Sequence, residues 1–367
     1  MFSFSLIILL LLFASIIHVV FQFWTTDADF TLRSKKLKRE EIEDNVVWIT
    51  GASRGIGEVL ARQLASLGAK LILSARNQAE LERVKSQLTG NHAPDDVKIL
   101  PLDLASGEAS LREAVEKAES FFPDSGVHYM IHNAAYERPK SAALDVTEES
   151  LKATFEVNVF GTISLTRLLA PYMIKRGRGH FVVMSSAAGK VPAPGQAVYS
   201  ASKFSLNGYF HSLRSELFHK GIKVTVVCPG PIETSKDSEA GSSGQPTLSE
   251  GEQVYVIDAI LKVALFLQNP SNGCDLIISC EFLVPKWLQK RVSSERCAEL
   301  TIIAASNGLK EAWISYQPVL GVMYLVQYMP SIGFWLMDKV GQKRIEVAAQ
   351  KGNTYSLDLL LGKSKKA

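Results

Sequence analysis

Cysteine is scarce in this chain of 367 residues: Cys228, Cys274, Cys280 and Cys297 are the only ones, and no two are spaced as C-x-x-C. That excludes a disulfide framework and a cysteine-based zinc site, and it suits thiols kept reduced. There is no H-E-x-x-H sequence and no cluster of histidine with cysteine, so no metal site is expected. Neither acidic nor basic residues are in marked excess. A net charge of +3, with no basic stripe interleaved with aromatics, argues against a nucleic-acid partner.

Formal charge is missing from Met1 through Thr26, where FSLIILLLLFASIIHVVFQFW offers about the twenty apolar residues of a bilayer crossing. A cleaved leader would start basic and carry a shorter apolar core, and a buried core helix this apolar is the poorer alternative. Residues 1–26 are read as a membrane anchor, with Trp24 at the interface. Arg33, Lys35, Lys36, Lys38 and Arg39 follow within a linker over 27–45. Positive flanks stay cytoplasmic, which places the remainder of the chain in the cytosol. The terminal KSKKA sets Lys363 and Lys365 as in a dilysine retrieval signal of the endoplasmic reticulum, a plain basic tail being the alternative.

Past the linker the hydrophobic pattern repeats. Strand-length apolar runs fall at 46–50, 70–74, 97–101, 128–132, 180–185 and 223–228. Helix-period segments at 55–67, 78–88, 108–121, 148–176 and 200–219 separate them. Strand alternating with helix predicts a parallel sheet covered on both faces. Right-handed crossovers make it doubly wound, with ligands taken at the carboxyl ends of the strands.

The first strand runs straight into glycine. In VVWITGASRGIG, residues 46–57, Gly51, Gly55 and Gly57 follow the apolar run and open the first helix. Glycine packs nothing and loses the most entropy on ordering. Its use here predicts a backbone that approaches a phosphate, held by N–H groups at the helix start. A glycine-rich turn without a ligand is the alternative. An acid for a free ribose hydroxyl usually ends the second strand. Here that end reads LILSARN, with Arg76 and no acid, while Arg54 lies within the turn itself. Two guanidinium groups beside one ribose suit a 2′-phosphate, so the cofactor is read as NADP(H).

Two Y-x-x-x-K sequences occur. Tyr136 to Lys140 contains Pro139, which disfavours one regular helical turn. Tyr199 to Lys203 opens a helix of small residues, and its i,i+4 spacing stacks phenol and ammonium on one face. A free phenol titrates at about 10, and a neighbouring ammonium favours the phenolate, bringing it toward the working range. Upstream, Ser186 ends the run HFVVMSS, where its hydroxyl can hold a substrate carbonyl against the phenol.

Together with LDL at Asp103, HNAA at Asn133, NVFG at Asn158 and PGPIET, these residues fall in one order over 46–235. In that order they resemble the short-chain dehydrogenase/reductase family. The resemblance implies a Rossmann-like sheet of about seven strands. By it, Tyr199 is the general acid/base, Lys203 lowers its pKa and holds the nicotinamide ribose, and Ser186 orients the substrate oxygen. Asn158 positions a water that relays the proton. Gly51, Ser53, Gly55, Ile56 and Gly57 surround the pyrophosphate and adjoining ribose. Asp103 contacts the adenine, Asn133 stands beside the cofactor, and Pro229, Ile232 and Thr234 reach the nicotinamide side. The same resemblance makes the long helices 148–176 and 200–219 a homodimer interface. One departure is visible: the family's N-N-A-G reads His132-Asn133-Ala134-Ala135, which leaves the conformation of that loop open.

The sequence EAWISYQPVLGVMYLVQYMPSIGFWLMDKVGQKRIE resembles the tail of a membrane-bound branch of the family. That makes Glu311 to Tyr316 the last strand, after a helix over 294–307. A catalytic domain then covers 46–317, with a substrate loop over 235–292. Within that loop, 235–252 reads as a mobile lid and 254–289 as an insertion. A last strand at 275–279 with 281–367 as an appendage is the alternative, and a retained non-coding segment a third. The charge-free stretch Ala312 to Met337 is broken by Pro318, Gly321, Pro330 and Gly333. It predicts short apolar helices, within an extension over 318–367, that cover the substrate cleft and touch the membrane surface.

These readings join in a membrane-anchored, NADP(H)-dependent oxidoreductase. It passes a hydride between nicotinamide and a carbonyl or secondary alcohol of a lipophilic substrate, such as a steroid, retinoid or other lipid. A 3-ketosphinganine-type lipid reductase and a low-turnover NADP(H)-binding membrane scaffold are the alternatives. The presence of Ser186, Tyr199, Lys203 and Asn158 together favours an enzyme.

Overall fold

The apolar runs become the strands of one sheet in the computed structural model, which describes residues 25–137, 141–233 and 291–349, with isolated positions from 13 to 23. In chain order they are β1 (Val46–Thr50), β2 (Lys70–Ser74), β3 (Val97–Ile99), β4 (Tyr129–His132), β5 (Gly179–Met184) and β6 (Ile222–Pro229). Two short strands, β7 (Ile232–Glu233) and β8 (Val292–Ser293), pair with each other, and β9 (Glu311–Ile314) returns to the main sheet. The order is β3-β2-β1-β4-β5-β6-β9, every pair parallel.

The helices between strands are α1 (Gly55–Ser66), α2 (Gln78–Ser86), α3 (Glu108–Ser120), α4 (Glu148–Phe155), α5 (Thr162–Lys175) and α6 (Ala197–Leu217). Later come α7 (Ser294–Ser306), α8 (Val319–Tyr328) and α9 (Pro330–Ala349). Alternation along β1 divides the core into two layers. Val47 and Ile49 belong with Leu60 and Leu64 of α1 and Ile302 of α7. Val46 and Trp48 belong with Leu111 of α3, Leu165 and Leu169 of α5, and Phe210 of α6. Each such buried side chain contributes about 1.5–3 kcal/mol relative to exposure, which is why a strand apolar on both faces stays at the centre.

The helix expected over 148–176 carries an irregularity that periodicity does not reveal. Glu156–Gly161 is a π-helical turn between α4 and α5. Glu148–Lys175 is also the one helix among the described residues long and apolar enough to cross a membrane. Leu165, Leu169 and Met173 are buried in the core, so it serves as a cover for the sheet. The apolar run before Thr26 lies largely outside the described residues, as do the lid and insertion expected over 235–289 and the terminal lysines. The place beside β6 that the alternative gave to 275–279 is taken by β9, with Val226 to Pro229 facing Glu311 to Ile314.

The linker packs on the free edge of β9. Ala28 forms an antiparallel bridge with Ile314, and the Asp29 N–H donates to the Trp313 carbonyl at 2.9 Å. Asp29 Oδ2 accepts from the Trp313 N–H at 2.6 Å, and Asp27 pairs with Arg296 of α7 at 2.7 Å. An edge that could template pairing with another chain is covered by this one.

Candidate active site

Between β1 and α1 the chain turns through its glycines, and each solves a different steric problem. Gly51 has φ +67°, a left-handed conformation, and a Cβ there would lie 2.8 Å from the Ala134 Cα. At Gly57 a Cβ would fall 2.1 Å from the Gly51 carbonyl oxygen. Gly55 has φ +57° and open space before it. Arg54, at the N-cap of α1, gives no side-chain hydrogen bond to the first turn, so that turn keeps donors for an anion. Ser53 and Ile56 are half-buried in the same turn.

Asn133, just past β4, holds the turn from the other side. Its Nδ2 donates to the carbonyls of Thr50 and Gly51, both at 3.1 Å. The departure at Ala135 needs no left-handed backbone. Asp44 is the only non-glycine residue with positive φ among the described residues, so Ala135 sits in an ordinary conformation. His132, which replaces the first asparagine, is buried with Nε2 2.8 Å from the Thr166 hydroxyl, and burial pulls its titration down to about 3. It stays neutral and acts as core.

The end of β2 carries no acid. Trp48 Nε1 donates to the Ser74 hydroxyl there at 2.8 Å. Beyond it Arg76 is exposed, as is Arg54, and neither has an ion-pair partner among the described residues. A pair of free guanidinium groups is what a ribose phosphate would recruit. Asp103, after β3, is exposed, and its Oδ1 accepts from the Ala105 N–H at 3.0 Å. Pro229 ends β6 and is buried, and Ile232 is half-buried in β7. Thr234 lies outside the described residues.

Tyr199 and Lys203 share the first turns of α6. The Lys203 Nζ lies 5.5 Å from the centre of the Tyr199 ring and donates to the Met184 carbonyl, the last residue of β5, at 2.8 Å. The side chain is 2% exposed, and burial lowers its pKa to about 8, opposed by the Glu137 carboxylate. It remains a cation at neutral pH, placed to favour a phenolate. Ser186 is half-buried at the end of β5, where its Oγ accepts from the Ala188 N–H at 3.1 Å and caps a short turn. That turn is tied to α6 by Asn207 Nδ2 donating to the Gly189 carbonyl at 2.8 Å. So Lys203 ties the start of α6, with Tyr199, to the carboxyl end of β5, just before Ser186.

Asn158 sits in the π-helical turn. Its Oδ1 accepts from the Tyr136 N–H at 2.7 Å and its Nδ2 donates to the Tyr136 carbonyl at 3.0 Å and to Ser202 Oγ at 3.1 Å. Ser202 in turn donates to the Tyr199 carbonyl at 2.7 Å. Ser202, missed in the sequence, links Asn158 to α6, and its i,i+3 offset from Tyr199 is the signal that was available. Tyr136, which begins the other Y-x-x-x-K, meets Asn158 through its backbone N–H and carbonyl, and 138–140 lie outside the described residues.

A second missed pair braces the glycine turn. Arg83 of α2 grips Glu58 through both carboxylate oxygens, at 3.1 and 2.9 Å, and donates to the Ser53 carbonyl at 3.0 Å. Its remaining donors reach Glu80 at 2.9 Å and Gln87 at 3.4 Å. The bond from Arg83 holds the Glu58 carboxyl below the usual carboxylate range. Its i,i+3 and i,i+4 spacing to Glu80 and Gln87 is legible in the sequence, but nothing there marks its reach to Ser53 and Glu58, which lie 30 and 25 positions away.

A parallel doubly wound sheet with a phosphate-shaped turn after β1 and a Tyr/Lys pair after β5 defines a nucleotide-dependent oxidoreductase of the Rossmann type. The chain belongs to the short-chain dehydrogenase/reductase family: the family pattern described as short chain dehydrogenase matches residues 45–243. It is 34% identical over 357 residues to dehydrogenase/reductase SDR family member 7 of Homo sapiens, covering 94% of each chain. The Mus musculus protein of the same name is 35% identical over 354 residues, also with 94% of each covered. A family protein 7-like chain of Drosophila melanogaster is 39% identical over 315 residues, 85% of each.

Two solved structures share the fold. A 3-oxoacyl (acyl-carrier-protein) reductase from Agrobacterium tumefaciens, with NADP bound, superposes with a TM-score of 0.56 at 19% identity, covering 74% of this chain and 93% of its own. A short chain dehydrogenase from Burkholderia cenocepacia, in complex with NADP, gives 0.56 at 20% identity, covering 79% and 96%.

Proposed function

We propose that this oxidoreductase is NADP(H)-dependent, anchored in the endoplasmic reticulum membrane, and acts on a carbonyl or secondary alcohol of a lipophilic substrate. The observation that carries the reading is the buried Lys203 beside Tyr199, together with Arg54 and Arg76 by the glycine turn, exposed and without an ion-pair partner among the described residues. The turn fits a dinucleotide: Gly51 and Gly57 let it pack against Ala134 and on itself, Gly55 faces open space, and the first turn of α1 has donors to spare. Gly51, Ser53, Gly55, Ile56 and Gly57 would hold the pyrophosphate, and Arg54 and Arg76 the 2′-phosphate. Asp103, Asn133, Pro229, Ile232 and Thr234 would line the rest. When bound, the nicotinamide supplies or accepts the hydride.

In this mechanism Ser186 orients the substrate oxygen, and Tyr199 delivers or removes its proton. Lys203 keeps the phenol acidic through its charge, and Asn158, set by the π-helical turn, positions a water for proton relay. Exposed Phe160 (54%) beside α5 and Phe204 (48%) on α6 support a homodimer across those helices. The charge-free N-terminus with its cationic flank supports a cytosolic catalytic domain.

Purified full-chain protein, assayed on lipid carbonyls with NADPH and NADH compared, tests the whole reading. Arg54→Ala with Arg76→Ala is expected to weaken NADPH binding by several kcal/mol at most, from two charge-assisted contacts of about 1.5–3 kcal/mol each. NADH affinity is expected to change little. Equal losses for both cofactors would refute the 2′-phosphate assignment.

A further inference from the structure

Aromatic side chains collect where the N-terminal segment meets α8. The Tyr324 ring centre lies 5.0 Å from that of Trp313, 6.2 Å from Tyr328 and 6.4 Å from Phe23. Its hydroxyl accepts from the Phe30 N–H at 3.1 Å, and Gln317 Nε2 donates to the Phe23 carbonyl at 3.1 Å. The charge-free run Met1 to Thr26 therefore ends against α8.

From that seam an apolar surface continues outward. Helix α9 folds back on α8 through Gly333, where a Cβ would lie 2.7 Å from the Val326 Cα, and Met337 one turn on is buried. The other side of α9 leaves Ile332, Phe334 and Trp335 exposed at 52%, 48% and 59%, and Phe30 beside Tyr324 reaches 87%. Single apolar residues on a surface need no explanation, but large ones gathered at the end of a charge-free run do. Cations border the patch. Arg33, Lys35 and Lys36 are exposed just after Phe30, and Lys339 Nζ lies 5.9 Å from the Trp335 ring. Aromatic and aliphatic side chains edged by lysine and arginine match a bilayer interface with anionic headgroups.

We infer that the first turns of α9, with Phe30, lie in the bilayer interface as a second contact that holds the catalytic unit against the lipid surface. The inference rests on the reading of 1–26 as an anchor and deepens it. The same helix reaches the loop that leads into α6. At Gly341 a Cβ would lie 3.7 Å from Pro194, in the loop between Ser186 and Tyr199. The mouth of the site is thus set at the membrane surface, where an apolar carbonyl compound partitions, and the substrate class is a lipid taken from the bilayer.

The test uses the full chain in vesicles of phosphatidylcholine and phosphatidylserine containing brominated phosphatidylcholine, which quenches tryptophans that touch acyl chains. Trp24→Phe reads the anchor and Trp335→Phe the second contact. Each substitution is expected to remove part of the bromolipid-quenchable emission. Quenching lowered by Trp24→Phe and untouched by Trp335→Phe overturns the second contact and leaves the anchor standing. A loss with Trp335→Phe alone keeps the contact and removes the anchor. Absence of quenching in the unsubstituted protein overturns both. A disulfide between two copies of Trp335→Cys in vesicles would assign this face to a dimer and likewise overturn the inference.

Discussion

Tyr199 and Lys203 differ in what each can lose without harm to the fold. The phenol oxygen is the only atom that Tyr199→Phe removes, so NADPH affinity is expected to stay nearly intact while most turnover disappears. Titration calorimetry beside a steady-state assay checks it, and an undiminished rate would take Tyr199 out of the mechanism. Lys203 is a structural liability as well as a chemical asset. Burial lowers its pKa to about 8, against about 10.4 in an unfolded chain. Between those values the unfolded chain binds the proton and the folded chain releases it, so this residue makes stability rise with pH across the window and fall again as pH drops toward 8. Urea unfolding at both ends of the window is expected to show the wild type gaining on Lys203→Met as pH rises.

At the scale of elements, the glycine turn owes its shape to neighbours far away in the chain. Helix α2 reaches it through Arg83, whose guanidinium is shared among Ser53, Glu58, Glu80 and Gln87. Arg83→Ala would free the Ser53 carbonyl and leave the Glu58 carboxylate, a charge near the expected phosphates, without its main partner. NADPH binding is expected to weaken by about tenfold, since charge-assisted bonds of about 1.5–3 kcal/mol are discounted here for partial exposure. Adding Glu58→Gln should restore part of the affinity, which a purely structural loss would not allow. The π-helical turn at Asn158 is the second such device. It is secured by the backbone of Tyr136 and by Ser202, both from other elements.

For the whole molecule, orientation across the membrane is the consequence with the widest reach. The proposed cytosolic orientation rests on the cations that follow the charge-free run. On sealed microsomes, added protease is expected to digest the catalytic domain without detergent. Protection until detergent is added would place the site in the lumen. The linker's grip on β9 bears on assembly too, since Ala28 already occupies the edge beside Ile314.

The order of strands and helices, the glycine turn and the Tyr/Lys spacing could be read from the chain alone, because each depends on local periodicity or on residues a few positions apart. Val46 to Thr50 is a central strand by its own composition, and Tyr199 and Lys203 meet because one helical turn separates them. The closing strand was expected at Glu311 to Tyr316 only through the resemblance of the tail to a branch of the family, and it forms over Glu311–Ile314. Tertiary structure decided what depends on distance in sequence. It brought Arg83 to Ser53, set Asn158 in a π-helical turn against Tyr136 and Ser202, and left Ala135 in an ordinary conformation. It also laid Asp29 along Trp313 and gathered Phe23 and Phe30 around Tyr324. Such contacts form only when separate elements pack, and no period in the sequence encodes which surfaces will meet.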